Sequence, residues 1–212
     1  GSALFQTADE YERLVANPVQ DVKEMSKRQM VAAETRRGAI RLSQVNPGSD
    51  PIDSVGGVSF RHLSMLAQIK SSDGDVWSSL NRSGHIKGEP SDSLKVRLAR
   101  MRNWIDGPHF PEDAKLEIRS EIGDDARAEI GTTGINFLRK LESLLSECEW
   151  TDAGISESIS EACESTEVSR KQGFASIYWA IIGRRNGPKA SSLIFEMDRG
   201  NILSLLGNTE LD

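Results

Sequence analysis

The chain has 212 residues with 26 lysines and arginines against 32 aspartates and glutamates, a formal net charge of −6, which leaves room for one large domain or two small ones. With 37% hydrophobic and 27% charged residues it carries enough apolar material to fold, which excludes an intrinsically disordered chain. It has neither a run of ~20 apolar residues nor a basic segment leading into an apolar core, so neither a membrane span nor export is expected and the cytoplasm is the expected location.

Helix punctuation recurs along the chain, and strand alternation is almost absent. Thr7 with Glu10 fits a capping box, in which the first side chain caps an orphan amide and the second reaches back to the cap's own amide, and predicts a helix over 8–16. Asp21 with Glu24 is a weaker form of the same signal, ahead of a helix over 22–44. From Val45 to Gly57 there are two prolines, three glycines and two aspartates, too many turn formers for a helix to cross, so a loop is expected. Helices follow over 60–70, 75–83 and 92–106, the last with Leu94, Leu98, Met101 and Ile105 on one face. Asp106-Gly107-Pro108 breaks the chain, dividing it into expected domains 1–109 and 110–212. Pro111 sits where a first-turn proline costs nothing and predicts a helix over 111–121. A further stripe, Ile135, Leu138, Leu141, Leu144 and Leu145, places a helix at 134–148. Others are expected over 152–165, over 170–183 behind a Ser169/Gln172 capping box, over 188–197 starting at Pro188, and over 199–206. The fold class is all-α, with about ten or eleven short helices.

Charge is segregated. Residues 1–109 carry 15 basic and 13 acidic side chains, residues 110–168 carry 5 and 15, and residues 169–212 carry 6 and 4. An acidic helical segment is most simply a solvated face; the functional alternative is a middle that turns away from a polyanion while the flanks face it.

Several apparent motifs lack the context that chemistry requires. Ser83-Gly84-His85-Ile86-Lys87-Gly88 and Lys23-Glu24-Met25-Ser26-Lys27 each look like a signature of class I aminoacyl-tRNA synthetases, but they stand in reversed order and without a nucleotide-binding sheet, so both read as chance. No nucleophile elbow or phosphate-binding loop is present. Cys148 and Cys163 are too few for a disulfide framework and read as packing residues, while His62, His85 and His109 lack zinc spacing. Neither an active site, a metal nor a cofactor is expected in this chain.

The run from Phe174 to Lys189 is the most informative. An apolar helix containing Tyr178 and Trp179 is stopped by Gly183, a turn carries Arg184 and Arg185, and Gly187-Pro188-Lys189 opens the next helix. A helix start beside three cations is chemically an anion site, against the plain alternative of a basic surface turn. At these residues the sequence resembles the C-terminal part of class I lysyl-tRNA synthetases, with Lys189 in place of that family's arginine, which keeps charge but loses the bidentate fork. Val58-Ser59-Phe60-Arg61-His62-Leu63 is similar to the family's Val-Pro-Phe-Arg-His-Leu segment, and Ala99-Arg100-Met101-Arg102-Asn103-Trp104-Ile105 to its Asn-Trp helix end. Residues 10 to 206 can be read through this family.

The resemblance implies a helical stem-contact region followed by an all-helical cage that grips the tRNA anticodon, with the Rossmann catalytic domain outside this chain and Gly1-Ser2 a cloning remnant. The parent would use ATP and magnesium to join lysine to tRNA; this piece would bind a lysine tRNA without forming an adenylate, with no role for DNA or membrane. Splayed anticodon bases are recognised by stacking and edge hydrogen bonds, with cations on the backbone, and Arg61, His62, Arg97, Arg100, Arg102, Trp179, Arg184, Arg185 and Lys189 supply those chemistries. Trp104 and Trp179 also lie on apolar faces, and for both the core is the favoured reading, because tryptophans are highly buried on average. Two other readings stand beside this one: the anticodon cage of a glutamyl-tRNA synthetase, and a helical protein-interaction module that binds no RNA, which the net negative charge favours.

Overall fold

A computed structural model describes residues 2–16, 26–42 and 57–208. These form helices α1 (Ser2–Ala16), α2 (Lys27–Leu42), α3 (Phe60–Ile69), α4 (Asp73–Arg82), α5 (Asp92–Ile105), α6 (Asp124–Glu147), α7 (Asp152–Ser165), α8 (Arg170–Ile182), α9 (Ala190–Glu196) and α10 (Arg199–Gly207), with no strand among the described residues. The all-α expectation holds. The chain divides into two compact units, Gly1–Lys115 and Leu116–Asp212.

The first unit is organised around α3, which packs on α1, α4 and α5. Leu63 and Leu66 of α3 and Leu80 of α4 are fully buried with Leu98 of α5. Of the α5 stripe, Leu94, Leu98 and Met101 are buried, whereas Ile105 is half-exposed. Phe5, Phe60, Trp104 and Phe110 build an aromatic cluster, with ring centroids 4.7 Å apart for Trp104 and Phe110 and 5.5 Å for Phe5 and Phe60. Edge-to-face geometry of this kind suits the ring quadrupoles. Trp104 is therefore a packing residue.

Several boundaries differ from those expected. Helix α1 starts at Ser2 rather than beyond Thr7, because Phe5 joins the aromatic cluster and tertiary packing outweighs the cap signal. Asp21 and Glu24, Lys23 and nearly all of the Val45–Gly57 stretch lie outside the described residues. Helix α2 is instead opened by Ser26, whose amide donates to Gln29 Oε1 at 2.8 Å while its hydroxyl accepts from the Gln29 amide at 3.4 Å. Ser72 and Asp75 form a full capping box at α4.

The expected helix over 111–121 is absent. Pro111 precedes a short 3-10 turn, Glu112–Ala114, and the chain then runs without regular secondary structure to Gly123. The Arg119 amide donates to the Ile181 carbonyl at 2.8 Å, so this segment finds its backbone partner on α8 rather than within itself. Conversely, α6 begins ten residues before the expected 134, behind Asp124 and Asp125 in its first turn. It was hidden because Gly131 interrupts it, with φ 64° and ψ 175°, at a kink between two helical pieces. Such a backbone is available to glycine without strain.

The second unit packs α6 against α7, α8 and α10, with α9 on α7. Phe137, Leu138, Leu141 and Leu145 of α6 are fully buried with Ile177 and Ile181 of α8; Leu144 is half-exposed. Both cysteines are free thiols, Cys163 buried against α8 and Cys148 half-buried. A Cβ on Gly173 would lie 2.7 Å from Cys163 Sγ and 3.1 Å from the Phe137 ring, which sets how closely α6, α7 and α8 approach.

At the end of α8, Gly183 takes a left-handed conformation with φ 63°. A Cβ there would fall 2.2 Å from the Arg119 guanidinium. That guanidinium pairs bidentately with Asp125, at 2.8 and 2.7 Å. Gly183→Ala therefore meets both a strained backbone and a displaced Arg119, and is expected to cost about 1–3 kcal/mol, checked by urea unfolding. The hydrogen bond from Arg119 also holds the Asp125 carboxyl down at about 2. A depressed carboxylate contributes above its unfolded value and loses that contribution as pH falls through the folded one, so the latch should persist through pH 4 and open only near pH 2. In Arg119→Ala, the Asp125 titration followed by NMR should return toward the ordinary carboxylate value.

Candidate nucleic-acid interface

In the first unit the expected cations mostly hold the fold together. Arg61 Nε donates to Asp9 Oδ2 at 2.7 Å, and its guanidinium lies 5.1 Å from the centre of the Phe5 ring, tying α1 to α3. Arg102 reaches the end of α3, donating to the carbonyls of Ala67 at 3.1 Å and Lys70 at 3.3 Å, and pairs with Asp73 at 2.8 Å. Those are the orphan carbonyls a helix end must satisfy. The His62 amide is capped by Ser59 at 3.1 Å, and its imidazole stacks on His85 with centroids 4.6 Å apart. His85 itself sits in a turn bounded by Gly84 and Gly88, both at positive φ, with Ser83 Oγ 2.7 Å from its Nδ1.

Arg97 and Arg100 line an apolar groove on α5 beside Tyr11, Phe60 and Trp104. Arg97 lies 3.9 Å from Glu12, whose carboxylate accepts the Phe60 amide at 2.6 Å. Burial is the leading influence on both members: it raises the Glu12 carboxyl and lowers the Arg97 guanidinium, each partly offset by the other's charge. Arg100 is exposed.

In the second unit the basic turn is arranged differently from the sequence expectation. Helix α9 begins at Ala190, not Pro188, and has 7 residues. The Pro188 carbonyl accepts the Tyr178 hydroxyl at 2.6 Å, so the turn is pinned to α8. Lys189 pairs with Asp152, and Asp152 also accepts from the hydroxyls of Ser191 at 3.0 Å and Ser192 at 2.8 Å. Asp152 follows the Thr151 cap of α7, so one carboxylate serves the starts of both α7 and α9, where partial positive charge favours it. The anion that this helix start would attract is supplied from inside the protein. Burial alone would raise the Asp152 carboxyl, but the Lys189, Ser192 and Ser191 hydrogen bonds together hold it below its ordinary value. Its contribution is present above the ordinary carboxylate range and is lost as pH falls below it.

Trp179 and Arg185 come together. They line a cleft of about 430 Å³ formed by α6 on both sides of its kink, the first turns of α8 and the basic turn. Arg185 is exposed, Trp179 and Arg184 half-buried. Lys171, Gln172, Thr133 and Glu129 line the same cleft, and sequence reasoning had not singled them out as site residues. One signal was available. Helix α8 opens with Arg170 and Lys171 and has no acidic residue in its first turn, and cations at a helix N-terminus oppose the helix dipole. A charge placement that works against the helix is explicable when an anion visits it. Arg185 and Lys171 make no ion pair among the described residues.

The cleft thus combines an indole face, two cations and amide and hydroxyl groups, the set that single-stranded RNA recognition uses. Its volume lies within the range of small-ligand sites, about 300–1,000 Å³. Among the described residues no group of three histidine, cysteine or carboxylate side chains is arranged to hold a metal ion, and no helix is long and apolar enough to cross a membrane.

An all-helical unit presenting such a cleft has the chemistry that helical single-stranded RNA binders use. Comparison with known proteins makes the class specific: the family model "Anticodon binding domain" matches residues 80–206, and the chain belongs to that family. Among curated proteins it is 28% identical over 182 residues to a lysine-tRNA ligase of Aeropyrum pernix, covering 82% of this chain and 32% of the relative. It is 27% identical over 193 residues to a lysine-tRNA ligase of Methanopyrus kandleri, covering 83% and 34%. A lysine-tRNA ligase of Picrophilus torridus is 25% identical over 149 residues, covering 69% and 28%. The chain spans about a third of the length of these relatives.

Proposed function

We propose that the chain is the tRNA-binding part of a lysine-tRNA ligase of the class I type, and that it holds the anticodon loop of a lysine tRNA in the cleft between the α6 kink and the start of α8. The match to the anticodon-binding family over 80–206 carries this reading, and the lysine-tRNA ligases among its relatives supply the amino acid. Trp179 offers a face for an unstacked base, while Arg185 and Lys171 neutralise adjoining phosphates. Arg97 and the exposed Arg100, which line the α5 groove of the first unit, are assigned to the tRNA stem, whereas Arg61, His62 and Arg102 act by holding α3 in place. Arg184 and Lys189 shape the turn that presents Arg185. ATP and magnesium would belong to a catalytic domain of the parent enzyme. That domain would form the lysyl ester, with this piece positioning the tRNA for it.

The reading is tested with two RNA pieces. An isolated anticodon stem-loop of a lysine tRNA is expected to bind the chain and to compete with the whole tRNA. A minihelix of acceptor and T stems should compete at least tenfold less well, since ~1.4 kcal/mol of lost contacts is a factor of ten. Equal competition by the two pieces would overturn the anticodon assignment.

A further inference from the structure

The cleft contains one group that a simple RNA groove should avoid. Glu129 lines it together with Lys171 and Arg185, is exposed, and makes no ion pair among the described residues. A carboxylate beside a bound phosphodiester repels it, so its presence weakens backbone binding unless it receives a hydrogen bond in return. An ionised carboxylate is an acceptor only. The donors RNA offers it are the ribose 2′-OH and the N–H groups of base edges, and only the latter differ from base to base. Its position is fixed by the fold: it lies two residues before Gly131, where α6 kinks, and next to Ile130, which is buried.

The other polar groups lining the cleft are weighted the opposite way. Lys171 and Arg185 only donate. Gln172 Oε1 is engaged by the Ser169 hydroxyl at 2.7 Å, which leaves its amide NH₂ as a donor. The Ser176 hydroxyl is turned to the Gln172 carbonyl at 3.0 Å. A base with two carbonyl acceptors flanking one N–H matches one carboxylate among several donors. Uracil has that edge: O4, N3–H and O2. Lysine codons, AAA and AAG, pair with anticodons carrying uracil at the second and third positions.

We propose that Glu129 reads an anticodon uracil: the base lies against Trp179, Glu129 accepts its N3–H, and the Gln172 amide donates to a flanking carbonyl oxygen, leaving Lys171 and Arg185 to the adjoining phosphates. No proton is transferred; N3 keeps its hydrogen. Cytosine in the same pose turns the N3 lone pair toward the carboxylate, and N3-methyluracil removes the donor, so both are rejected. This inference rests on the lysine anticodon reading above and adds to it the group that discriminates.

The test measures binding of three anticodon stem-loops, carrying uridine, N3-methyluridine or cytidine at the central anticodon position, to the unsubstituted chain, Glu129→Gln and Trp179→Ala. For the unsubstituted chain, methylation and cytidine should each weaken binding by about tenfold or more, the scale of a lost base-edge contact. In Glu129→Gln, whose amide can donate to cytosine N3, the uridine-to-cytidine ratio should fall to about threefold or less, while Trp179→Ala should weaken all three RNAs and leave a larger ratio. A ratio unchanged by Glu129→Gln, with Trp179→Ala still weakening binding, would overturn the role of Glu129 and leave the tRNA site standing. No effect of Trp179→Ala on any RNA would overturn the site and the inference together.

Discussion

Trp179→Ala should weaken binding of a lysine tRNA by about 5- to 150-fold, because a base stacked on an aromatic face contributes ~1–3 kcal/mol. The indole is half-buried, with one part packed in the second unit and the rest lining the cleft. Trp179→Phe keeps an aromatic face and should recover most of the affinity. Comparing the two variants separates stacking from packing: Trp179→Ala should lower the urea midpoint by the packing it loses yet remain folded without denaturant, whereas Trp179→Phe should stay near the parent midpoint, and only the alanine variant loses RNA. If both lose affinity equally while remaining folded, the indole is not a stacking platform.

Salt dependence should distinguish the two cations of the cleft from the one that is paired. If Lys171 and Arg185 each neutralise a phosphate of an unpaired strand, the slope of log affinity against log salt should flatten by ~0.7 for each cation removed, or ~1.4 in the Lys171→Ala, Arg185→Ala double variant. Lys189→Ala should leave the slope nearly unchanged, since its ammonium is held by Asp152. Its cost to stability should also be small, about 0–1 kcal/mol, as for other exposed ion pairs. A Lys189→Ala slope change as large as that of the double variant would move the RNA surface to the start of α9.

How much of this was readable in the sequence depended on whether the deciding contact was local. Helices α5, α7 and α8 lie almost where periodicity and caps place them, because Ser91, Thr151 and Ser169 each cap the third residue of the helix they start. The helix expected at 111–121 failed because its backbone partner, Ile181, is more than sixty residues away in sequence. The start of α6 was missed because the apolar stripe used to place the helix begins at Ile135, beyond the kink at Gly131; Gly134, just after the kink, lets α8 approach, since a Cβ there would lie 2.6 Å from Ser176 Oγ. Among the site residues, Trp179 and Arg185 were visible as an aromatic and a cation in one motif. Glu129 and Thr133 were not, since only the kink and the α6–α8 packing bring them to the same cleft. Nor could sequence separate Arg102, held by carbonyls of α3, from Arg100, which is exposed; the two sit on one helix and differ in what lies opposite.

This helical chain is expected to read an anticodon rather than to attract RNA by charge, and one binding comparison separates the two. The same lysine tRNA is prepared with its own anticodon and with a glutamine or an alanine anticodon, and the equilibrium binding of each to the purified chain is measured at near-physiological salt. Phosphate contacts are common to all three, whereas a wrong base in a recognition pocket costs about 1–3 kcal/mol by analogy with groove readout. The lysine anticodon should therefore bind tenfold or more tightly than either of the others. Equal affinity for the three tRNAs would contradict anticodon reading and leave the cleft as a site of nonspecific charge attraction.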